Sequence, residues 1–366
     1  LFRWDQTGLF LLALAAGILP FAVPEVCAAA LREGLALCCG PLLLSLFPFL
    51  VVSRLLIQCP ESDLLALPFR LAAWGIGIRT PCAARVLCIG FLGGFAPAAS
   101  AAAQAVRTGQ LTAEEADALL PACICSGPSF VVLTVGQSLL GSAELGVLLF
   151  AAQITANYLT AALLNRFAGV RSVKSGSAAP ASPAPPRLDE ILADAAITYC
   201  KLCGFILFFR LLAAGAGALL PAGAGTLCAI LLEVCSGCDL ASRTGRWGSL
   251  LCCAALSVQG LSVLLQVRTI CPPEMTLRPL YRARMLHLPL SLALFYLLLP
   301  GGEADVFSTL PARVLLMRRV PPDCALLVFA VCCMAACTLR SGIRQVEQKQ
   351  MARNAGGCCI NSKTLL

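Results

Sequence analysis

The chain has 366 residues, of which 59% are apolar and only 13% are charged. Soluble domains carry about 25% charged residues, so the composition argues against an ordinary soluble enzyme and against a disordered chain. Apolar stretches of about 20 residues recur, and each is long enough to cross a ~30 Å hydrocarbon core. The composition therefore predicts an all-α, polytopic membrane protein.

The net charge of +8 comes from 27 basic and 19 acidic residues. The basic residues stand in short gaps between apolar runs, which is the pattern of positively charged cytoplasmic loops and not of a nucleic-acid surface. His287 is the single histidine. The sequence has no phosphate-binding loop, nucleophile elbow or zinc-protease motif. We therefore expect no enzymatic activity, no cofactor, no bound metal and no nucleic-acid partner.

The 22 cysteines need a separate explanation. Disulfide frameworks suit small secreted domains, whereas most of these cysteines stand inside apolar segments, where cysteine behaves as a small hydrophobic residue. Two Cys-x-x-Cys pairs occur, Cys200 with Cys203 and Cys235 with Cys238. We expect them to be packing residues, and a metal or redox site is the alternative.

Two apolar runs open the chain. Residues 8–23 predict a first span that is retained, with a cleaved signal peptide as the alternative. Residues 34–57 predict a second span. The shorter run 64–78 contains Arg70 and Trp74, which is typical of a helix that lies at the membrane interface.

The next segment, 85–107, is interrupted by glycine and proline in its middle. Thr112 and Glu115 form a capping box, and Gly109 suits the end of the preceding helix. The two short helices at 97–122 predict a re-entrant hairpin, because neither can span a bilayer. The Ser-Gly-Pro-Ser sequence that follows predicts a discontinuous helix, because proline removes a backbone donor. The candidate solute-path residues of this half are Gly93, Gly94, Pro97, Ser126, Gly127, Pro128 and Ser129.

A stretch rich in Pro, Ala and Ser divides the chain. Residues 169–187 predict a flexible linker between a first membrane half, 1–168, and a second half, 188–340. A last span is expected at 324–339, and a basic tail follows at 341–366. The Lys and Arg residues of the linker and the tail predict that both face the cytoplasm.

The second half repeats the pattern of interrupted apolar segments. A helix is predicted at 191–220, followed by a run at 227–240 that a Ser-Gly pair breaks. The run 250–267 is broken by polar residues, and a span follows at 286–299. Interrupted segments at matching positions in two halves are typical of transporters, so we expect two pseudo-repeats. The candidate path residues of this half are Glu233, Ser236, Gly237, Gln259, Gly260, Ser262 and Gln266.

Several polar side chains stand in apolar surroundings. Glu233 is a candidate coupling carboxylate, because a charge at bilayer depth is costly and usually functional; a structural pair with Arg210 is the alternative. Gln259, Ser262 and Gln266 are spaced as one face of a helix, which either bonds a neighbouring helix or lines a path. The candidates for attracting an anionic solute, with plain loop basicity as the alternative, are Arg210, Arg284 and His287.

Several short motifs follow one another between residues 34 and 299. They are Gly-Phe-Leu-Gly-Gly-Phe at 90–95, Thr-Gly-Gln-Leu-Thr at 108–112, Glu-Glu-Ala at 114–116, Cys-Ser-Gly-Pro at 125–128, Leu-Leu-Glu-Val-Cys-Ser-Gly at 231–237, Leu-Ser-Val-Leu-Leu-Gln at 261–266, Tyr-Arg-Ala-Arg at 281–284 and Leu-His at 286–287. In their order and spacing these motifs resemble the sporulation integral membrane proteins of the YlbJ type. The resemblance implies gate domains related to those of concentrative nucleoside transporters. It also implies an endospore-forming bacterium and passage of dipicolinic acid into the developing spore.

The sequence departs from that family at several polar positions. The family's Ser-Gly-Tyr-Pro-x-Gly-Ala-Lys corresponds to residues 93–100, where the serine, the tyrosine hydroxyl and the lysine are missing. Ile124 stands where the family has asparagine, and Cys235 and Ser236 stand where it has Thr-Asn. These losses leave a divergent paralogue with another, nucleoside-like solute as an alternative.

The sequence as a whole predicts a multi-pass protein of the cell membrane, or of the forespore envelope membrane, that transports a small organic solute. By resemblance that solute is dipicolinic acid. A non-transporting membrane scaffold in spore envelope assembly and an integral membrane enzyme are the alternatives from other classes. The expected partners are the lipid bilayer, the solute, and a second copy of the chain or other spore membrane proteins.

Overall fold

The computed structural model describes residues 6–59, 62–168 and 188–299, and within these residues the chain is helical and has no β-strand. The predicted linker, the span at 324–339 and the tail at 341–366 lie outside the described residues. The helices are α1 (Gln6–Ala22), α2 (Pro24–Leu37), α3 (Leu43–Gln58), α4 (Ser62–Leu65), α5 (Leu67–Gly75), α6 (Pro81–Gly93), α7 (Phe95–Arg107), α8 (Ala113–Cys123), a π-helical segment (Ser129–Leu139), α9 (Ala143–Ala168), α10 (Leu188–Leu219), α11 (Ala222–Leu232), α12 (Val234–Ser242), α13 (Gly248–Val258), α14 (Gly260–Ile270) and α15 (Arg278–Leu298).

Three helical stretches of the described chain are long and apolar enough to cross a membrane: Ala143–Ala168, Leu188–Leu219 and Gly245–Ile270. A fourth is added if the bent pair Leu12–Ala22 and Pro24–Gly40 counts as one span. These lengths are compatible with a multi-pass membrane protein.

The first predicted run corresponds to α1, whereas the second predicted span is wrong in its bounds. α1 and α2 meet at a bend of 108°, and the helix of the second span already begins at Pro24 instead of residue 34. Gly40 then interrupts the helix with φ −113° and ψ −105°. Proline at the first position of a helix lacks only an N–H that would stay unbonded anyway, and glycine tolerates angles outside the helical region.

α5 is a short amphipathic helix of nine residues, about 14 Å long, and cannot cross a bilayer. Leu71 and Trp74 are exposed while Ala73 is buried. Phe69 packs against Phe91 of α6, with ring centroids 5.6 Å apart. The exposed apolar face is what an interfacial helix needs.

α7 and α8 form a hairpin with a tight polar turn. The predicted capping box is confirmed: the Thr112 hydroxyl accepts from the Glu115 N–H at 3.1 Å, and the Glu115 carboxylate accepts from the Thr112 N–H at 3.1 Å. Gly109 follows the end of α7 and has φ +69°. A left-handed residue at this position lets backbone N–H groups bond the last carbonyls of the helix. With 13 and 11 residues, the helices are about 20 and 17 Å long.

α7 is rich in alanine, and nine of its 13 residues are buried. It packs against α3, α6, α8 and α14. Small side chains let helix backbones approach closely in a membrane, where packing replaces the hydrophobic effect between helices. The hairpin is therefore held inside the bundle and not on its surface.

Four helical stretches are interrupted. Gly94 separates α6 from α7, and residues 124–128 separate α8 from the π-helical segment. In the second half, Glu233 has extended angles (φ −151°, ψ 126°) between α11 and α12, and Gln259 is left-handed (φ +66°) between α13 and α14. The sequence placed the first of these two breaks at Ser236 and Gly237, which is wrong by three residues because Glu233 itself caps the new helix.

The four breaks lie against each other in two pairs. A Cβ built on Gly94 would stand 2.7 Å from the Gly127 nitrogen, and one on Gly260 would stand 3.0 Å from the Glu233 nitrogen. The first distance is shorter than real Cβ contacts, and the second is tight at a residue with φ +70°, so both positions, Gly94 and Gly260, favour glycine. We call the Gly94–Gly127 contact the first crossing and the Glu233–Gly260 contact the second crossing.

Candidate solute site

Arg284 reaches the broken helices of both halves. It lies on α15, is 7% exposed, and donates from Nη2 to the carbonyl of Ile124, just after α8. Nη1 donates to the carbonyl of Ser257 near the end of α13 at 3.3 Å. Carbonyls at helix C-termini carry partial negative charge, so one guanidinium stabilises the ends of α8 and α13 together.

No carboxylate among the described residues forms an ion pair with Arg284, and its Nε has no hydrogen-bond partner there. A buried charge without a counter-ion costs several kcal/mol, on the order of the penalty for breaking a buried ion pair. The carbonyl contacts recover part of that cost through charge–dipole attraction. They leave the net positive charge in place.

Polar side chains of three helices surround this guanidinium. Gln153 on α9 donates from Nε2 to the Ser257 hydroxyl at 2.9 Å, and the Ser257 hydroxyl in turn bonds the Ser291 hydroxyl on α15. His287 Nε2 lies 3.2 Å from the Gln153 carbonyl oxygen. Asn157 donates to the Ile124 carbonyl at 3.5 Å. Helices α9, α13 and α15 are thus joined by a buried polar network.

Several buried polar atoms of this network and of neighbouring side chains have no hydrogen-bond partner among the described residues. Buried polar groups are almost always hydrogen-bonded to protein or water, and a polar cavity of sufficient size holds water. The network therefore has unused hydrogen-bonding capacity near Arg284. The unpartnered side-chain atoms are Gln153 Oε1, Asn157 Oδ1, Thr160 Oγ1, Gln259 Oε1 and His287 Nδ1.

The helices that begin at the breaks differ in their caps. Glu233 caps α12: its carboxylate accepts from the N–H groups of Cys235 at 2.8 Å and Ser236 at 2.7 Å, and from the Ser236 hydroxyl at 2.9 Å. The N-termini of α7, the π-helical segment and α14 have no side-chain cap. Uncapped N-termini are positive and favour anions.

Most of the predicted path residues lie at the two crossings. Gly237 is buried in the first turn of α12, where a Cβ would stand 2.8 Å from the backbone of Ile230. The residues at the first crossing or within a few residues of it along the chain are Gly93, Gly94, Pro97, Ser126, Gly127, Pro128 and Ser129, and those at the second are Glu233, Ser236, Gly237, Gln259 and Gly260.

The predicted common face of Gln259, Ser262 and Gln266 is wrong in part. All three are buried, but the left-handed backbone at Gln259 ends the helical spacing there. Gln266 donates to Ser262 at 2.9 Å along α14, whereas Gln259 extends to Ser126 at 3.5 Å, across to the first half. Gln259 therefore connects the two crossings.

Arg210, on α10, takes its ion-pair partner from α2. Its Nη2 forms an ion pair with Glu33 at 2.8 Å, so the proposed pair of Arg210 with Glu233 is wrong. Glu33 lies on α2, which packs beside α10, and a nearby surface carboxylate is a cheaper partner than a buried one.

Sequence inspection missed the contribution of α9. Gln153, Asn157 and Thr160 are all buried, and their spacing of four and three places them on one helix face. The signal was the same as for the glutamines of α14: uncharged polar residues at helical spacing inside a long apolar run. Ser257 and Ser291, by contrast, carry no sequence signal beyond their polarity.

The Cys-x-x-Cys pairs show no metal arrangement. All four cysteines are free thiols, with Cys200 exposed and Cys238 buried. Within the described residues, no group of three or more His, Cys, Asp or Glu side chains is placed to hold a metal ion.

No known protein family, curated protein or solved structure matches the chain. The family resemblance of the sequence motifs therefore stays a prediction. The described part of the molecule is an all-helical protein with several membrane-length helices, whose interrupted helices meet beside a buried cation.

Proposed function

We propose that the chain is a membrane transport protein whose solute site lies between the two crossings and binds a small organic anion. The observation that carries the proposal is Arg284, a buried guanidinium that bridges two helix ends and has no carboxylate partner among the described residues. A cation at membrane depth is costly and is by default functional. A bound anion offsets that cost.

The chain already holds one carboxylate at the N-terminus of an interrupted helix. At the second crossing, the Glu233 carboxylate accepts three hydrogen bonds at the start of α12. The starts of α7, the π-helical segment and α14 have no such side chain. A solute carboxylate would make equivalent bonds at one of these N-termini, which is how discontinuous helices of secondary transporters hold anionic groups.

The proposal includes two pseudo-repeats. The pair α6–α7 and α8–π-helical segment crosses at its breaks, as does the pair α11–α12 and α13–α14. The α7–α8 hairpin is then re-entrant, because both helices are shorter than a bilayer core. Irregular backbone at this depth is tolerated only where protein buries it or it lines a cavity.

Dipicolinic acid is the first solute to test, because the family resemblance implies it and it carries two carboxylates. The positions where that family has lysine and tyrosine hold Ser100 and Phe95 here. Arg284 and His287, which stand in motifs shared with that family, supply the charge and the polar contacts under this proposal. Under this proposal the protein acts in the forespore envelope membrane during sporulation.

The test is uptake into proteoliposomes that contain the full chain. Labelled dipicolinate, benzoate and uridine are supplied separately, and Arg284→Lys and Arg284→Met are compared with wild type. Arg282→Met is the matched control, because Arg282 lies on the same helix but is exposed. Loss of one partner of a buried charge pair costs about 2 kcal/mol or more, so we expect at least a ~30-fold rise in KM for Arg284→Met.

Transport of a carboxylate that the control preserves and Arg284→Met abolishes supports the proposal. Uptake of uridine without uptake of either carboxylate contradicts it and favours the nucleoside-like paralogue. Absence of uptake for all three, with protein correctly inserted, favours the scaffold. Membrane abundance of each variant is measured alongside, since a merely structural Arg284 would lower abundance and not KM.

A further inference from the structure

A cavity of about 160 Å³ lies between α3, α7, α10 and α14. Its lining includes two exposed cations, Arg107 at the end of α7 and Lys201 on α10, together with Asp194. Its walls include Gln266, seven residues beyond Gln259, so the cavity begins about 10 Å along α14 from the second crossing. None of the residues of the polar network around Arg284 lines it.

The cavity is positively charged. Three cations line it, Arg54, Arg107 and Lys201, against a single carboxylate, Asp194. That carboxylate already pairs with Arg54, which also donates to Thr198 at 3.5 Å. Two positive charges therefore remain without a counter-ion in the lining. A cleft of one sign with low-dielectric walls concentrates ions of the opposite sign.

The inner wall carries polar groups with free bonding capacity. Ser100 and Gln266 are both buried, and neither Gln266 Oε1 nor Arg54 Nε has a hydrogen-bond partner in the described chain. Gln266 Nε2 donates to the Ser262 hydroxyl at 2.9 Å. Because that hydroxyl can also donate to Oε1, the amide can turn and present Nε2 to the cavity.

The volume sets the size of the ligand. An apolar cavity of about 150 Å³ holds one benzene molecule, so this cavity has room for one six-membered ring with its substituents. A nucleotide or a folded peptide is too large. The charge and the size together select a small carboxylate or a similar anion.

We propose that this cavity is a second anion-binding site, separate from Arg284, which receives a small organic carboxylate from the aqueous face where α7 ends. Its binding activity stands independently, whereas its role as the vestibule that supplies the crossings rests on the proposed transport function. The polar pair Gln266 and Ser262 connects the vestibule with the start of α14. Arg107 and Lys201, at the rim of the cavity, raise the local concentration of the anion and so lower KM.

The test is direct binding and not transport. Full-length protein in nanodiscs of pure phosphatidylcholine is titrated with para-fluorobenzoate and followed by fluorine NMR. The double variant Lys201→Glu with Arg107→Glu reverses two exposed rim charges, so folding is preserved. Arg246→Glu with Arg282→Glu makes the same charge change at exposed positions outside the cavity, and it is the matched control.

We expect the double variant to weaken para-fluorobenzoate binding at least tenfold, the control to leave it unchanged, and Arg284→Met to leave one site intact. Failure of the transport proposal alone would leave this pattern as it is. Equal binding in wild type and the double variant overturns the vestibule. So does loss of all binding in Arg284→Met, because the anion then binds only at the crossings.

A lipid headgroup offers the same charge as a free anion, so a second arm separates the two sources. Native mass spectrometry counts phosphatidylglycerol retained by the wild type and by the double variant. Lipid that wild type retains and the variant loses, together with no para-fluorobenzoate binding, overturns the solute assignment. Binding of para-fluorobenzoate that phosphatidylglycerol does not displace supports it.

Discussion

The two crossings place interrupted helices in contact by different means. At the first crossing the contact is glycine to glycine, and the carbonyl end of α8 is bonded by side chains from elsewhere, Arg284 and Asn157. At the second crossing, Glu233 stands inside the break and bonds the free N–H groups itself. The break between α11 and α12 is capped by its own side chain, so only α14 begins uncapped at the second crossing. At the first crossing, both α7 and the π-helical segment begin uncapped.

This difference suggests a division of roles. A break whose N–H groups are bonded by its own side chain, as Glu233 bonds those of Cys235 and Ser236, is a fixed structural element, since an unbonded buried group costs about 1–3 kcal/mol. A break with uncapped positive N-termini next to an unpaired guanidinium retains affinity for an anion. We therefore place the solute at the uncapped N-termini beside Arg284 and assign Glu233 a capping role.

The largest expected effect is a difference in stability between alanine variants of the two glycines at the first crossing. Gly94 has φ +79° and ψ −164°, a region essentially restricted to glycine, and its Cβ would meet backbone at 2.7 Å. We expect Gly94→Ala to lower the free energy of unfolding by about 3 kcal/mol or more. Gly127→Ala is the control, because its Cβ would meet only ordinary contacts from 3.5 Å. Thermal unfolding in detergent measures both, and equal melting temperatures would contradict the first crossing.

A smaller effect is expected at Glu233. Glu233→Gln keeps the shape but turns one oxygen into an NH₂ group that faces an N–H donor, so we expect a loss of about 1–2 kcal/mol of stability. Glu144→Gln, at an exposed first turn of α9, is the control. The transport rate per inserted molecule distinguishes the cap from a coupling carboxylate. Lower abundance with a normal rate supports the cap, while normal abundance without uptake restores the coupling hypothesis.

The smallest effect is expected for the cysteine pairs. Changing Cys200, Cys203, Cys235 and Cys238 together to Ala removes no metal arrangement, and only Cys238 is fully buried. Loss of one buried, methylene-sized atom costs about 1 kcal/mol. Uptake per molecule should stay near the wild-type value. Loss of uptake at normal abundance would revive a metal or redox site beside the second crossing.

The sequence could predict features with local causes. The hairpin turn follows from a capping box and a left-handed glycine, and the break after α8 follows from Ser-Gly-Pro-Ser. The break at Glu233 could not be placed, because a carboxylate in an apolar run carries no backbone signal. The sequence named Arg284 as a candidate for attracting an anion, but not its contacts with two helix ends, since residues 124, 257 and 284 meet only through tertiary packing. The bend between α1 and α2 depends on packing in the same way.

The most direct test of the anion site is a crystal structure of the full chain with bromide, located by anomalous scattering. Bromide needs no assumption about the solute and is small enough to reach a buried cation. We predict an anomalous peak within hydrogen-bond distance of Arg284 or of the N–H groups at the start of α7, the π-helical segment or α14. That peak should be absent in Arg284→Met. Bromide found only at exposed arginines and lysines, with no peak near Arg284 or the uncapped N-termini, would contradict the proposed anion site.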